Sequence, residues 1–195
     1  MLYIYQLETL SPADQTAFIE AADRCGEAVS ELTNKDLHKT VAECLKAPVA
    51  IEMRDFQPRP QMEGEPFLLM DVDDLAIDTF LAAMRERKVR IGHKCMITAK
   101  NKGWHLSKLI GDVQEEHALM SALIKLQRSL DVAKGFNEAD YAPLMWQAFD
   151  AQRKQAADLL AHVGKVEIAK ETVESVTNQL NVAVMSMLQM RGGKR

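Results

Sequence analysis

The chain has 195 residues, 47% of them apolar and 27% charged, and its 24 Lys and Arg against 28 Asp and Glu give a net charge of −4. That composition belongs to a globular protein able to bury a core without metal or disulfide staples. It excludes a disordered chain and a uniformly basic nucleic-acid binder. With 6% aromatics and 11 Met, the expected core is aliphatic and rich in thioethers.

Residues 2–7 (LYIYQL) read as a buried strand. Ser11-Pro12 is an N-cap followed by proline at the first helical position, and Phe18, Ile19 and Ala22 give that helix an apolar face ending near Cys25-Gly26. Residues 27–32 are a weaker strand, after which Asn34 is expected to cap a helix carrying Leu37, Val41 and Leu45. Pro48, Pro58, Pro60 and Gly64 mark a linker, in which Val49–Met53 is a candidate edge strand. The order then returns. Phe67–Met70 is a strand, and Asp71, Asp73 and Asp74 begin a helix through Arg87 with Leu75, Phe80, Leu81 and Met84 inward. Arg90–Thr98 is a second strand, and a helix starts near Asn101 to Trp104. Asn34-Lys35-Asp36-Leu37-His38 lines up with Asn101-Lys102-Gly103-Trp104-His105, three of five identical, each following a strand that ends in Thr (Thr33, Thr98).

In the last third, Leu106, Ile110, Val113, His117, Met120, Ile124 and Gln127 alternate by four and three. So do Ala169, Val173, Val176, Leu180, Ala183, Met187 and Met190. A helix from about Tyr141 to Val163, capped by Asn137 or Asp140, lies between these rows. The short turn at Gly164 makes it and the last helix an antiparallel hairpin. The helix leaving Trp104 would run to about Ala133, roughly 45 Å at 1.5 Å per residue.

The expected fold class is therefore α/β (or α+β): two β-α-β-α units, a duplication sharing one sheet, followed by a C-terminal helical hairpin. The boundaries are 1–47 for the first unit, 48–65 for the Pro-rich linker, 66–133 for the second unit with its long helix, and 134–195 for the hairpin.

Phe67–Met120 resembles a small bacterial family of unknown function, in which a strand, a helix and a second strand ending in Thr lead through an Asn-x-x-Trp turn into an amphipathic helix. The matching residues are Leu68-Leu69, Asp71–Asp74, Ala83, Met84, Ile97-Thr98, Asn101, Trp104, Leu106, Leu109, Ile110 and Glu115-Glu116-His117. The core of the likeness is Thr-x-x-Asn-x-x-Trp. The family carries no assigned activity, so the resemblance speaks to fold and boundary. The first unit departs from the pattern at Leu37 and Asn34.

From Arg87 to Gly111 there are seven Lys or Arg, two His and no acid, while an acidic run (Glu63, Glu65, Asp71, Asp73, Asp74, Asp78) lies just upstream. A solvated face is the plain explanation. The sharper one is an anion site beyond the carboxyl end of a strand, at a helix N-terminus. Its ligand-binding residues would be Thr98, Lys100, Asn101, Lys102, Trp104, His105 and Lys108. Trp104 reads first as a staple packing helix onto sheet and second as a stacking platform. Asp158 and His162 on one helix, with Glu171 and Glu174 on the next, lack the Glu-x-x-His spacing of bundle metal sites and read as a surface ion pair. No metal, cofactor or catalytic residue is expected, since no nucleophile with a base, GxSxG, Walker loop or GxGxxG is present.

Cys25, Cys44 and Cys95 are odd in number and show no CxxC spacing. The start MLYIYQLETL carries Glu8 and no basic region, and no apolar run approaches the roughly 18 residues of a membrane span. The expected location is the cytoplasm, away from membranes. The leading functional expectation is a non-enzymatic binding or assembly module, homodimeric through its C-terminal helices. The alternative is a binder of an anionic small molecule at the Thr98–Lys108 junction, nucleic acid being the less supported version. An enzyme of unidentified class comes third.

Overall fold

A computed structural model describes residues 1–46, 48 and 64–192, without the side chains of the last two. The linker expected at 48–65, apart from Pro48, Gly64 and Glu65, and the edge strand expected at Val49–Met53 lie outside the described residues. The chain forms two compact units, Met1–Glu115 and Glu116–Arg195, whose boundary falls inside one long helix.

In the first unit β1 (Leu2–Tyr5), β2 (Val29–Leu32), β3 (Phe67–Met70) and β4 (His93–Met96) form one sheet in the order β2-β1-β3-β4. β1 is parallel to β2, β3 is parallel to β4, and the central pair β1–β3 is antiparallel. Two β-α-β crossovers therefore meet at the middle of the sheet, with α1 (Pro12–Arg24) and α3 (Asp74–Glu86) as the crossing helices. The helices α2 (Val41–Lys46) and α4 (Leu106–Ala133) follow the two edge strands.

Strand alternation sorts the core into two layers. Leu2, Ile4, Leu68 and Met70 pack with Phe18, Ala22, Phe80 and Met84 of α1 and α3. Tyr3, Phe67 and Leu69 pack with Val41, Cys44, Leu106 and Leu109 of α2 and α4. Phe67, Leu68 and Leu69 are fully buried, each contributing about 1.5–3 kcal/mol of transfer free energy. The expected helix starts hold: Ser11 accepts the Asp14 N–H at 3.1 Å, and Asp73 accepts the Ala76 N–H at 2.8 Å.

Three local expectations are corrected. β1 stops at Tyr5 because Gln6 turns to φ 58° and opens a 3-10 turn at Leu7–Thr9. β4 spans His93–Met96, not Arg90–Thr98. Asn34 is not a cap: Thr33 and Asp36 form a reciprocal capping box around the 3-10 turn Asn34–Asp36, while Oδ1 of the Asn34 side chain accepts the Tyr5 hydroxyl at 2.7 Å.

In the second unit the end of α4 packs with α5 (Pro143–Ala161) and α6 (Lys170–Gly192). The core holds Leu126 and Leu130 of α4, Trp146 and Phe149 of α5, and Val173, Val176, Leu180 and Met187 of α6. The Phe149 ring lies 5.3 Å from Phe136 and 5.4 Å from Trp146, inside the range of favourable aromatic pairs. On α6 the 4-3 row is the packed face from Val173 to Met187, and its two ends, Ala169 and Met190, are exposed. On α4 the row is wrong beyond Val113. Met120 and Ile124 are each 49% exposed, and the buried positions are Ala122, Leu123, Leu126, Leu130 and Ala133. This stretch of α4 is apolar on more than one side, so the spacing alone offers two rows. Asn137 caps a 3-10 turn at Glu138–Asp140, and α5 starts only at Pro143.

Candidate functional site

The Thr98–Lys108 junction begins two residues after β4 ends at Met96. The Thr98 backbone N–H donates to Asn101 Oδ1 at 2.8 Å, and the Asn101 N–H reaches Thr98 Oγ1 at 3.3 Å. The Asn101 amide nitrogen also donates to the Met96 carbonyl at 2.8 Å and lies 3.5 Å from Cys95 Sγ. Asn101 is 7% exposed, so this side chain ties the turn together from inside. The first half repeats the device, with the Thr33 N–H donating to the Asp36 carboxylate at 2.8 Å. Equivalent positions are thus 65 apart, and Asp36, not Asn34, stands in the place of Asn101.

A helix start leaves its first backbone N–H groups without intrahelical partners. At α4 two of these go to the first half of the same unit. The Leu106 N–H donates to the Lys39 carbonyl at 2.9 Å and the Ser107 N–H to the Leu37 carbonyl at 3.1 Å. In return the Val41 N–H donates to the Trp104 carbonyl and the Ala42 N–H to the Lys102 carbonyl, both at 2.9 Å. Thr40 and His105 form the antiparallel bridge between the two segments. Each helix start is therefore capped by the other junction. The donors that the anion reading takes from the start of α4 are largely occupied.

The side chains sort into three groups. Thr98 and Asn101 are absorbed in the turn. His105 directs Nδ1 to the His38 carbonyl at 2.9 Å. Lys100, Trp104 and Lys108 come together, with the lysine nitrogens 6.0 and 4.3 Å from the centre of the indole. Lys108 also pairs with Asp112 at 2.6 Å. Trp104 is half-buried against the core of Leu106 and Leu109, so one side staples the helix and the other carries cations. Lys102 is exposed. Nearby, burial pushes the Lys94 ammonium below its ordinary pKa, and Lys94 donates to the Ile91 carbonyl.

Other sequence candidates are placed as follows. No disulfide joins Cys25, Cys44 or Cys95. Burial, aided by the Asp36 charge, pushes the Cys44 thiol up, away from a reactive thiolate. His162 contacts the Asp158 main-chain carbonyl at 2.6 Å rather than its carboxylate, and Glu174 pairs with Lys170 at 3.3 Å. Among the described residues no cluster of three or more His, Cys, Asp or Glu could hold a metal ion, and no helix is long and apolar enough to cross a membrane.

Sequence reasoning missed a groove on the second unit. It lies along α5 and α6, measures about 530 Å³, and is lined by Met145, Phe149, Gln152, Asn178, Val182 and Met187 among others. A signal for it exists in the sequence: Val182 stands one position before Ala183 of the 4-3 row, so it falls at the edge of the packed face and not within it.

Residues 66–120 match the model of a family described as a domain of unknown function, DUF3783. The match covers the β3-α3-β4 crossover, the Thr98–Lys108 junction and the first half of α4. No curated protein and no solved structure matches the chain.

Proposed function

We propose that this chain is a non-enzymatic assembly module that pairs with a second copy of itself through its C-terminal helices. The observation that carries this is the groove along α5 and α6. Its ten lining residues include no charged side chain. A two-fold contact sets a surface against itself, so a charge near its axis would meet its own sign; this lining carries none. A projecting group borders the hollow, as self-complementarity requires: Val182 is 68% exposed. Among the described residues, ten of the eleven large exposed apolar side chains lie beyond residue 116, which favours the helical unit as the association surface. The half-buried Met145 adapts readily to an irregular partner surface. The unbridged thiols support a reducing, cytoplasmic setting. Sedimentation equilibrium is expected to find a dimer for the full chain and a monomer for Val182→Glu, and only the wild type should melt higher as its concentration rises. A wild-type monomer at high micromolar concentration sinks the proposal.

A second reading keeps an anionic small molecule at the junction, held by the Lys100, Lys102 and Lys108 side chains beside the Trp104 face. The two cations gathered at the indole favour it. Calorimetric titration with phosphate and with a short single-stranded oligonucleotide separates its two versions. No heat from either at millimolar concentration in low salt removes it.

A further inference from the structure

The two halves of the first unit are related by a two-fold axis through the middle of the sheet. Under a shift of 65 residues the central register maps onto itself: Leu2 faces Met70, and Tyr5 faces Phe67. The four hydrogen bonds between the junctions fall into two pairs exchanged by that same shift. Val41 to Trp104 becomes Leu106 to Lys39, and Ala42 to Lys102 becomes Ser107 to Leu37. Residues on the axis meet their own counterparts. Thr40 bridges His105, 65 positions away. On the other face Phe18 stacks edge-on against Phe80, 62 positions away, at 5.8 Å. The caps repeat at that second spacing, Ser11 with Asp73, and so do the left-handed residues ending the crossover helices, Gly26 and Lys88.

A contact in which i meets j and j meets i is the mark of an isologous pair of subunits. Here it lies between two stretches of one chain. We infer that the surface of the second half, formed by β3, Phe80 and the Lys102–Ser107 segment, is a self-pairing surface whose partner class is another copy of the same half. Residues 1–46 are a built-in, diverged copy of the matched domain occupying it. The family match stops at one half because one half is the module. This inference does not rest on the groove of α5 and α6.

The test starts from the full chain carrying Val182→Glu, to silence the groove, and His105→Cys, with a protease site placed within residues 50–62. After cleavage the native pieces should stay together by sedimentation. The first piece is then removed in denaturant and the second refolded by itself. The helical unit of this piece has its own core, but the sheet half is expected to fold only on dimerising, with a concentration-dependent melting temperature. A disulfide should then join the two thiols introduced at position 105, because paired residues on an antiparallel axis lie within disulfide reach. The uncleaved protein, in which Thr40 faces that position, should not cross-link. Separation of the native pieces, or a second piece that stays monomeric or dimerises without the cross-link, overturns the inference.

Discussion

Gly26 and Lys88 end the two crossover helices in the same left-handed conformation, at φ 70° and 61°. Their hydrogen bonds also match. The Gly26 N–H donates to the Asp23 carbonyl at 2.9 Å and the Lys88 N–H to the Arg85 carbonyl at 3.0 Å, and the following residues, Glu27 and Val89, close onto Ala22 and Met84. One position carries the residue suited to this backbone and the other does not. A side chain in this region costs about 1–2 kcal/mol. Glycine returns about 0.5–1 kcal/mol of that through the larger entropy of its unfolded state. Lys88 is exposed, and its side chain is not part of the core, so Lys88→Gly should stabilise the protein by about 0.5–1 kcal/mol. Gly26→Lys should destabilise it by a similar amount through the backbone alone, since a Cβ there meets no atom within 4 Å. Urea unfolding of both variants in a Trp146→Phe background leaves Trp104 as the sole tryptophan, reporting the first unit. The midpoints should move in opposite directions at unchanged slope. A lower midpoint for Lys88→Gly, or an unmoved one for Gly26→Lys, refutes the equivalence of the two positions.

Asn101→Ala strands the Thr98 N–H and the Met96 carbonyl and should cost about 2–4 kcal/mol by chemical denaturation. Asn101→Asp should recover only part of this, because a carboxylate accepts from Thr98 but cannot donate to Met96. Partial burial pushes the Asp36 carboxyl up, but hydrogen bonds from Lys39 and from the Thr33 backbone and hydroxyl outweigh it and hold the group below the ordinary aspartate range. A depressed folded pKa gives stability that is present above the unfolded value, about pH 4, and lost as pH falls through the folded one. Acid unfolding of Asp36→Asn should therefore depend less on pH below about 4 than wild type does. Lys108→Ala removes the cation 4.3 Å from the indole, at about 0.5–1 kcal/mol, and should shift Trp104 emission in the same single-tryptophan background.

The caps are legible in the sequence because Ser11-Pro12 and Asp73 satisfy their helix starts with local hydrogen bonds that need no tertiary partner. β3 is legible because Phe67–Met70 is buried on both faces and reads as a continuous apolar run. The capping box at Thr33–Asp36 reads instead as an Asn34 cap, and the echo between the junctions falls two residues out of register, because identity at Asn and Lys outweighs geometry in a comparison of letters. Thr33 and Thr98, which anchor both turns, stand out in the sequence only as strand ends. The fate of the helix-start donors is not legible at all. Whether Leu106 offers its N–H to a ligand or to Lys39 depends on a residue 67 positions away, and no local pattern records that pairing. On α4 several apolar rows coexist, so periodicity yields the helix but not its buried side.

The sheet order bears on how the chain folds. Each parallel pair joins residues close in sequence: Leu2 meets Val29, and Phe67 meets His93. The central pair joins Leu2 to Met70 and closes a far longer loop. Loop-closure entropy rises only logarithmically with length, so doubling the connection between the halves costs about 0.6 kcal/mol. Each β-α-β crossover can thus collapse as a local unit, and the late event is their docking across β1 and β3. Insertions between the halves should slow that docking modestly and leave unfolding almost untouched. Substitutions at Phe18 or Phe80, which touch only after docking, should act through whichever rate the central pairing governs.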